Sequence, residues 1–166
     1  MNQTNQFKIV AYSSIYQEAI LNLIVNIQQT EFGIAITAAD QPDLCNIQDF
    51  YQKGKGNFWV ALLNQEVVGT ISLLDIGNGQ SALRKMFVDR PYRGKNYQVA
   101  AALLGTLLNW ARSQKVREIY LGTTPKFLAA RRFYEKNGFK EIAEDELPHN
   151  FPVMRVDTRF YKFCMG

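Results

Sequence analysis

"RPYRGKNYQVAAALL", residues 90–104, decides how the rest of the chain is read. Its first half is basic, turn-prone and carries Gly94. Its second half is a run of small and apolar residues that opens a helix. From Ala100 the apolar positions are Ala100, Leu103, Leu104, Leu107, Leu108 and Ala111, the spacing of a helix with one buried face. A helix N-terminus concentrates unpaired N–H groups and the positive end of the helix dipole. Arg90, Arg93 and Lys95 stand just ahead of it, and Val99, Ala100 and Ala101 put no bulk on its first turn. That combination points to a seat for an anion such as a phosphate. Taken alone, the stretch is equally an ordinary basic loop before a core helix.

Upstream of it lie three strand-like runs, "NFWVALL" (57–63), "VVGTISLLDI" (67–76) and "SALRKMFV" (81–88). Short polar connections between them predict an antiparallel meander. Downstream, "EIYLGTT" (118–124) reads as a buried strand. The helical crossover makes it parallel to the third run of the meander. "KFLAARRFYEKNGF" (126–139) is another helix, with Gly138 as its C-terminal cap. "KEIA" (140–143) and "PVMRVDTRFYKF" (152–163) read as two closing strands. At the front, "FKIVAY" (7–12) is a first strand, and Ser14 with Gln17 forms a capping box for a helix striped by Tyr16, Ile20, Leu23, Ile24 and Ile27. Pro42 suits the first turn of a further helix carrying Leu44, Ile47, Phe50 and Tyr51. The expected fold is α/β: a mixed sheet with an antiparallel N-terminal meander, a parallel central pair and flanking helices, in a single domain over residues 1–166.

Composition narrows the function classes. At 47% hydrophobic and 20% charged, the chain is an ordinary globular protein. No apolar run approaches the roughly 20 residues of a membrane span, and the first residues lack the pattern of a signal peptide. Cys45 and Cys164 lie far apart and His149 is the one histidine, which excludes a readable disulfide framework or zinc site. A cytoplasmic setting without membrane contact is expected. The net charge of +4 leaves a nucleic-acid or an anionic-cofactor partner open. Scattered aromatics form no stacking motif, so nucleic acid is not expected. A dinucleotide fold is excluded because no G-x-G-x-x-G follows the first strand.

Residues 83–142 resemble the GCN5-related N-acetyltransferase superfamily. "LGTTPKFLAARRFYEKNGF" (121–139) aligns without gaps on that family's L-x-T-N-P-x-N-x-x-A-x-x-x-Y-x-K-x-G-F pattern, matching at Ala130, Tyr134, Lys136, Gly138 and Phe139, with Thr124 in place of the asparagine. "KNYQVA" (95–100) stands in for the pyrophosphate loop Q/R-x-x-G-x-G/A, with Lys95 at its start, Gln98 for its first glycine and Ala100 at its last small position.

The resemblance implies transfer of an acetyl group from acetyl-CoA, a co-substrate, to a primary amine of a small molecule, peptide or protein. It places the pyrophosphate at Arg93, Gly94, Lys95, Gln98, Val99, Ala100 and Ala101, with Thr124 and Ala130 also on the cofactor. It gives the backbones of Met86, Phe87 and Val88 to the pantetheine arm and the thioester carbonyl. Tyr134 becomes the acid that protonates the leaving sulfur; read alone, it is a core tyrosine sharing a helix face with Ala130 and Phe133. Glu31 is the first candidate base and Asp75 the second. The loop 30–40 and the hairpin around 144–153 are expected to flank the acceptor entrance. A catalytically idle CoA-binding sensor of the same fold is the alternative. An amine-bearing acceptor is the expected partner, and the reading leaves room for a homodimer.

Overall fold

A computed structural model describes residues 7–94, 97–124 and 128–165. Its strands are β1 (Lys8–Ala11), β2 (Asn57–Leu63), β3 (Glu66–Gly77), β4 (Gln80–Val88), β5 (Glu118–Thr123), β6 (Lys140–Ile142) and β7 (Arg159–Cys164). Its helices are α1 (Gln17–Asn26), α2 (Ile47–Tyr51), α3 (Val99–Ser113) and α4 (Leu128–Lys136). One sheet runs β1-β2-β3-β4-β5-β7-β6. The first four strands are antiparallel, β4 and β5 are parallel, and β7 lies antiparallel between β5 and β6.

The uninterrupted apolar run of β2 is buried along its whole length because both sheet faces are covered. Phe58, Val60 and Leu62 pack with Ile20, Ile24, Leu44 and Ile47 beneath α1 and α2. Trp59, Ala61 and Leu63 pack with Leu103, Leu104 and Leu107 of α3 on the other side. Gly69 on β3 lets α3 approach closely: a Cβ there would lie 3.1 Å from Leu103 and 3.2 Å from Val99. The helix N-terminus is thereby pinned beside the end of β4. At the end of α4, Gly138 takes φ +96°, Phe139 N–H donates to the Tyr134 carbonyl at 3.0 Å, and Gly138 N–H donates to that of Glu135 at 3.3 Å. This is the paired C-terminal cap that a glycine makes accessible.

Three local expectations are corrected. Ser14 forms no capping box; Gln17 instead accepts from Tyr12 Oη at 2.8 Å and donates to the Leu44 carbonyl at 3.0 Å, tying α1 to the turn after Pro42. The helix begun at Pro42 is a 3-10 turn over Pro42–Cys45, broken from α2 by Asn46 at φ −149° and ψ 58°. Residues 152–158 are not a strand: among them Met154 and Asp157 close a turn, and the ladder starts only at Arg159. Among the described residues, no helix is long and apolar enough to cross a membrane and no group of three or more acidic, histidine or cysteine side chains could hold a metal.

Candidate active site

The parallel pairing of β4 and β5 is short. Gln80–Ala82 match Glu118–Tyr120, and no later residues of the two strands are paired with each other. The separation has a local cause. Between the pairs Thr70↔Phe87 and Ser72↔Arg84, the single residue Ile71 of β3 faces two of β4, Lys85 and Met86, and Lys85 adopts φ +55°. The hydroxyls of Thr70 and Ser72 donate to the carbonyls of Lys85 and Arg84, each at 2.7 Å, and hold this bulge in place. A bulge bends its strand and re-aims the side chains around it. Beyond Ala82 and Tyr120 the diverging strands line a cleft of about 800 Å³, completed by residues 34–36, Ala130 and Tyr134 of α4, and residues 151–157.

Strand alternation gives this opening two chemically different sides. Leu121 and Tyr134 belong to the cluster under α3 and α4. Tyr134 is buried among the rings of Phe133, Phe139 and Tyr161, with centroids 5.8, 5.5 and 6.5 Å away. Its hydroxyl has no hydrogen-bond partner among the described residues, and burial raises its pKa, so the phenol keeps its proton at neutral pH. Thr123 Oγ1 is buried and likewise unpartnered among the described residues.

Tyr120 faces the opposite way, packing with Phe151 and Phe160, so Gly122 also turns to that side. There Arg84 stacks over Phe50 and Tyr51, its guanidinium carbon 5.8 and 6.0 Å from their ring centres, with Nη2 3.5 Å from Met154 Sδ. Among the described residues neither Arg84 nor Arg155 has a carboxylate within 4.0 Å. Lys85 is buried in a polar network: Nζ donates to Gln41 Oε1 at 2.7 Å and lies 3.7 Å from Asp43 Oδ2. Tyr51 Oη donates to the same Asp43 oxygen at 2.6 Å, and Gln41 donates to Gln28 Oε1 at 2.8 Å. Burial lowers the Lys85 pKa to about 8, with Asp43 opposing the shift. Asp157 is half-buried beside Gly122, where a Cβ would overlap its carboxylate. Burial raises its pKa, with the Met154 N–H and then Arg84 and Lys85 pulling the other way.

Of the residues selected from sequence, Met86, Phe87, Ala130 and Tyr134 line the cleft together. Val88, Thr124, Gly94, Gln98, Val99, Ala100 and Ala101 lie outside its lining, and Lys95 is outside the described residues. Gln98 takes φ +58°, a left-handed backbone that favours glycine, and the residue is exposed. Glu31 and Arg93, chosen for different roles, meet in one pair. Arg93 Nη1 and Nη2 donate to the two Glu31 oxygens at 2.7 and 2.8 Å, and Arg93 Nε donates to the Val88 carbonyl at 2.7 Å. Arg90 stands 3.7 Å away. The Arg93 hydrogen bond holds the Glu31 pKa below its ordinary value, and Glu31 does not line the cleft. Asp75 accepts from Lys55 and Gly77 N–H, each at 2.9 Å, and caps turns away from the cleft.

A model described as the acetyltransferase (GNAT) family matches residues 21–139. The chain belongs to that family. It is 34% identical over 142 residues to the N-acetylaspartate synthetase of Xenopus tropicalis, which covers 78% of this chain and 51% of that protein. It is 31% identical over 115 residues to human N-acetyltransferase 8B, covering 66% of this chain and 50% of the relative. The chain thus spans about half the length of these curated relatives. Among solved structures, a GNAT-family acetyltransferase from Staphylococcus aureus Mu50 superposes with a TM-score of 0.93 at 42% identity, covering 97% of this chain and all of that one (100%). The PaiA N-acetyltransferase of Thermoplasma acidophilum, solved with coenzyme A, shares the fold at TM-score 0.72 and 16% identity over 96% of this chain and 99% of that one.

GNAT membership makes CoA the ligand to test against these residues, and they fit it. The part of β4 that does not pair with β5 offers a strand edge, the buried Thr123 hydroxyl lacks a partner among the described residues, and Ala100 and Ala101 leave the start of α3 unobstructed. Sequence reading missed Arg84, Lys85, Gly122 and Asp157. Two adjacent cations inside the otherwise apolar "LRKMFV" were a signal for the first two. Nothing local marked Asp157, because its position depends on Gly122, a residue 35 positions earlier in the chain.

Proposed function

We propose that the chain is an acetyl-CoA-dependent N-acetyltransferase whose acceptor is a primary amine carrying at least one carboxylate. The observation that carries this reading is the opening between β4 and β5, which joins the buried Tyr134 on one side to guanidiniums with no carboxylate partner among the described residues on the other. When bound, acetyl-CoA supplies an activated thioester whose sulfur must leave as a thiol. The N–H groups of the first turn of α3, at Val99, Ala100 and Ala101, would hold the pyrophosphate. With Arg93 held by Glu31 and Val88, this seat is chiefly backbone. The backbones of Met86, Phe87 and Val88 would hold the pantetheine arm and polarise the carbonyl through an N–H. Tyr134, protonated and facing the cleft, would give its proton to the sulfur.

On the other side, Arg84 and Arg155 supply charge-assisted donors for a carboxylate. The stack on Phe50 and Tyr51 fixes the Arg84 guanidinium before the acceptor arrives. The relatives named for N-acetylaspartate support the same acceptor class. Glu31 we assign to anchoring Arg93 rather than to proton transfer, because a carboxylate held low by two hydrogen bonds is a weak base. A panel of amino acids, simple alkylamines and peptides tests the reading by CoA release and product mass. Acidic amino acids are expected to have the highest kcat/KM. Equal use of neutral alkylamines would remove the carboxylate requirement, and CoA binding without transfer to any amine would favour the sensor reading.

A further inference from the structure

An ammonium must lose a proton before its nitrogen can attack, so the cleft needs an acceptor for that proton. Among the described residues, two carboxylates line it, Asp40 and Asp157. Asp40 is exposed, and one oxygen takes both the N–H and the hydroxyl of Thr37, each at 3.0 Å, as the cap of a turn. Asp157 is placed differently. It lies on the acceptor side of the opening, against the bare backbone of Gly122, at the edge of the gap through which nitrogen would approach. Its Oδ2 accepts from the Met154 N–H at 3.1 Å, while Oδ1 has no hydrogen-bond partner among the described residues. No cation lies within 4.0 Å of it among those residues, so it is not locked in an ion pair as Glu31 is.

We propose that Asp157 is the proton acceptor for the incoming ammonium, an inference that rests on the acetyltransferase reading. In that step R–NH3⁺ gives one proton to the Asp157 carboxylate, leaving R–NH2 with a free lone pair and a neutral carboxyl that later returns the proton to water. Gly122 makes room for the carboxylate, and the Met154 N–H fixes its rotamer. The charged groups facing it are Arg84 and Lys85 of β4; Arg155 of its own loop, Asp40 and Tyr134 line the same cleft. Burial outweighs the cations and moves its pKa upward, toward the range in which a carboxylate is a more effective base.

The test variant is Asp157→Asn. Its carboxamide oxygen still accepts from the Met154 N–H, so the turn survives while the base is lost. The amine kcat/KM is expected to fall about 100-fold or more, with the acidic limb of the pH–rate profile flattened and CoA affinity by calorimetry unchanged. Amines of low pKa, already neutral at the assay pH, are expected to lose much less. Independently of turnover, carbon NMR of the free protein should show the Asp157 carboxyl titrating above the ordinary aspartate value. A wild-type protein that acetylates amines, beside an Asp157→Asn variant with the same rate and the same acidic limb, would overturn the proposal alone. So would an Asp157 carboxyl titrating at or below the ordinary value. A wild-type protein that transfers to no amine would overturn the parent reading and this one together.

Discussion

The two sides of the opening between β4 and β5 are made of different materials. The side under α3 and α4 offers mainly backbone: the part of β4 that does not pair with β5, the first turn of α3, and one buried phenol. The side under α1, α2 and residues 151–157 offers side chains, each held in place: Lys85 by Gln41 and Asp43, Arg84 by Phe50 and Tyr51, and Asp157 by the backbone N–H of Met154. A backbone-built surface depends on strand and helix geometry more than on side-chain identity. A side-chain-built surface changes with each substitution. On the proposed reading, that difference would let one cofactor platform serve different acceptors.

The division can be broken first at Tyr134, the one side chain on the cofactor side given a chemical role. Tyr134→Phe is expected to lower kcat by about 10² to 10⁴-fold, the usual worth of one positioned acid. The Michaelis constants for acetyl-CoA and for the amine should change little, since the hydroxyl acts when charge develops on sulfur. Steady-state kinetics with the chemical step shown to limit turnover would check this; an unchanged kcat would return Tyr134 to the core.

A smaller effect tests whether Glu31 belongs to the framework rather than to the acceptor side. Its pKa is held below the ordinary value of 4.5, chiefly by the Arg93 hydrogen bond. A lowered carboxylate pKa stabilises the fold fully above the ordinary value, and that contribution is lost as pH falls through the lowered one. Glu31→Gln should therefore cost about 1 kcal/mol at neutral pH, since Arg93 is partly solvated, and the difference from wild type should vanish at the acid end. Urea unfolding of both proteins across that range would measure it. Amine kcat should barely move; a large fall with a lost acidic limb would restore Glu31 as the base.

The sequence was legible where burial imposes a period. The run "NFWVALL" and the stripe of α3 describe surfaces covered on both sides or on one, and the structure covers them so. Gly138 was legible because a left-handed cap favours a particular residue type. The bulge at Lys85 was not, since a register shift between β3 and β4 is a relation between strands rather than a pattern within one. Residues 152–158 misled because Val153, Met154 and Val156 are apolar yet exposed beside the cleft, where so apolar and β-branched a run mimics a strand. Glu31 and Arg93 each looked functional alone, and only their spatial meeting shows that each occupies the other.

The most direct test of the two-sided account is a calorimetric titration with CoA of three proteins: wild type, Ala100→Asp and Arg84→Gln. An aspartate in the first turn favours the helix, so Ala100→Asp should stay folded while its bulk and charge oppose a phosphate. The account predicts that CoA binds wild type and Arg84→Gln alike and that Ala100→Asp loses most of its affinity. Undiminished CoA binding by a folded Ala100→Asp, or loss of CoA binding in Arg84→Gln, would contradict it.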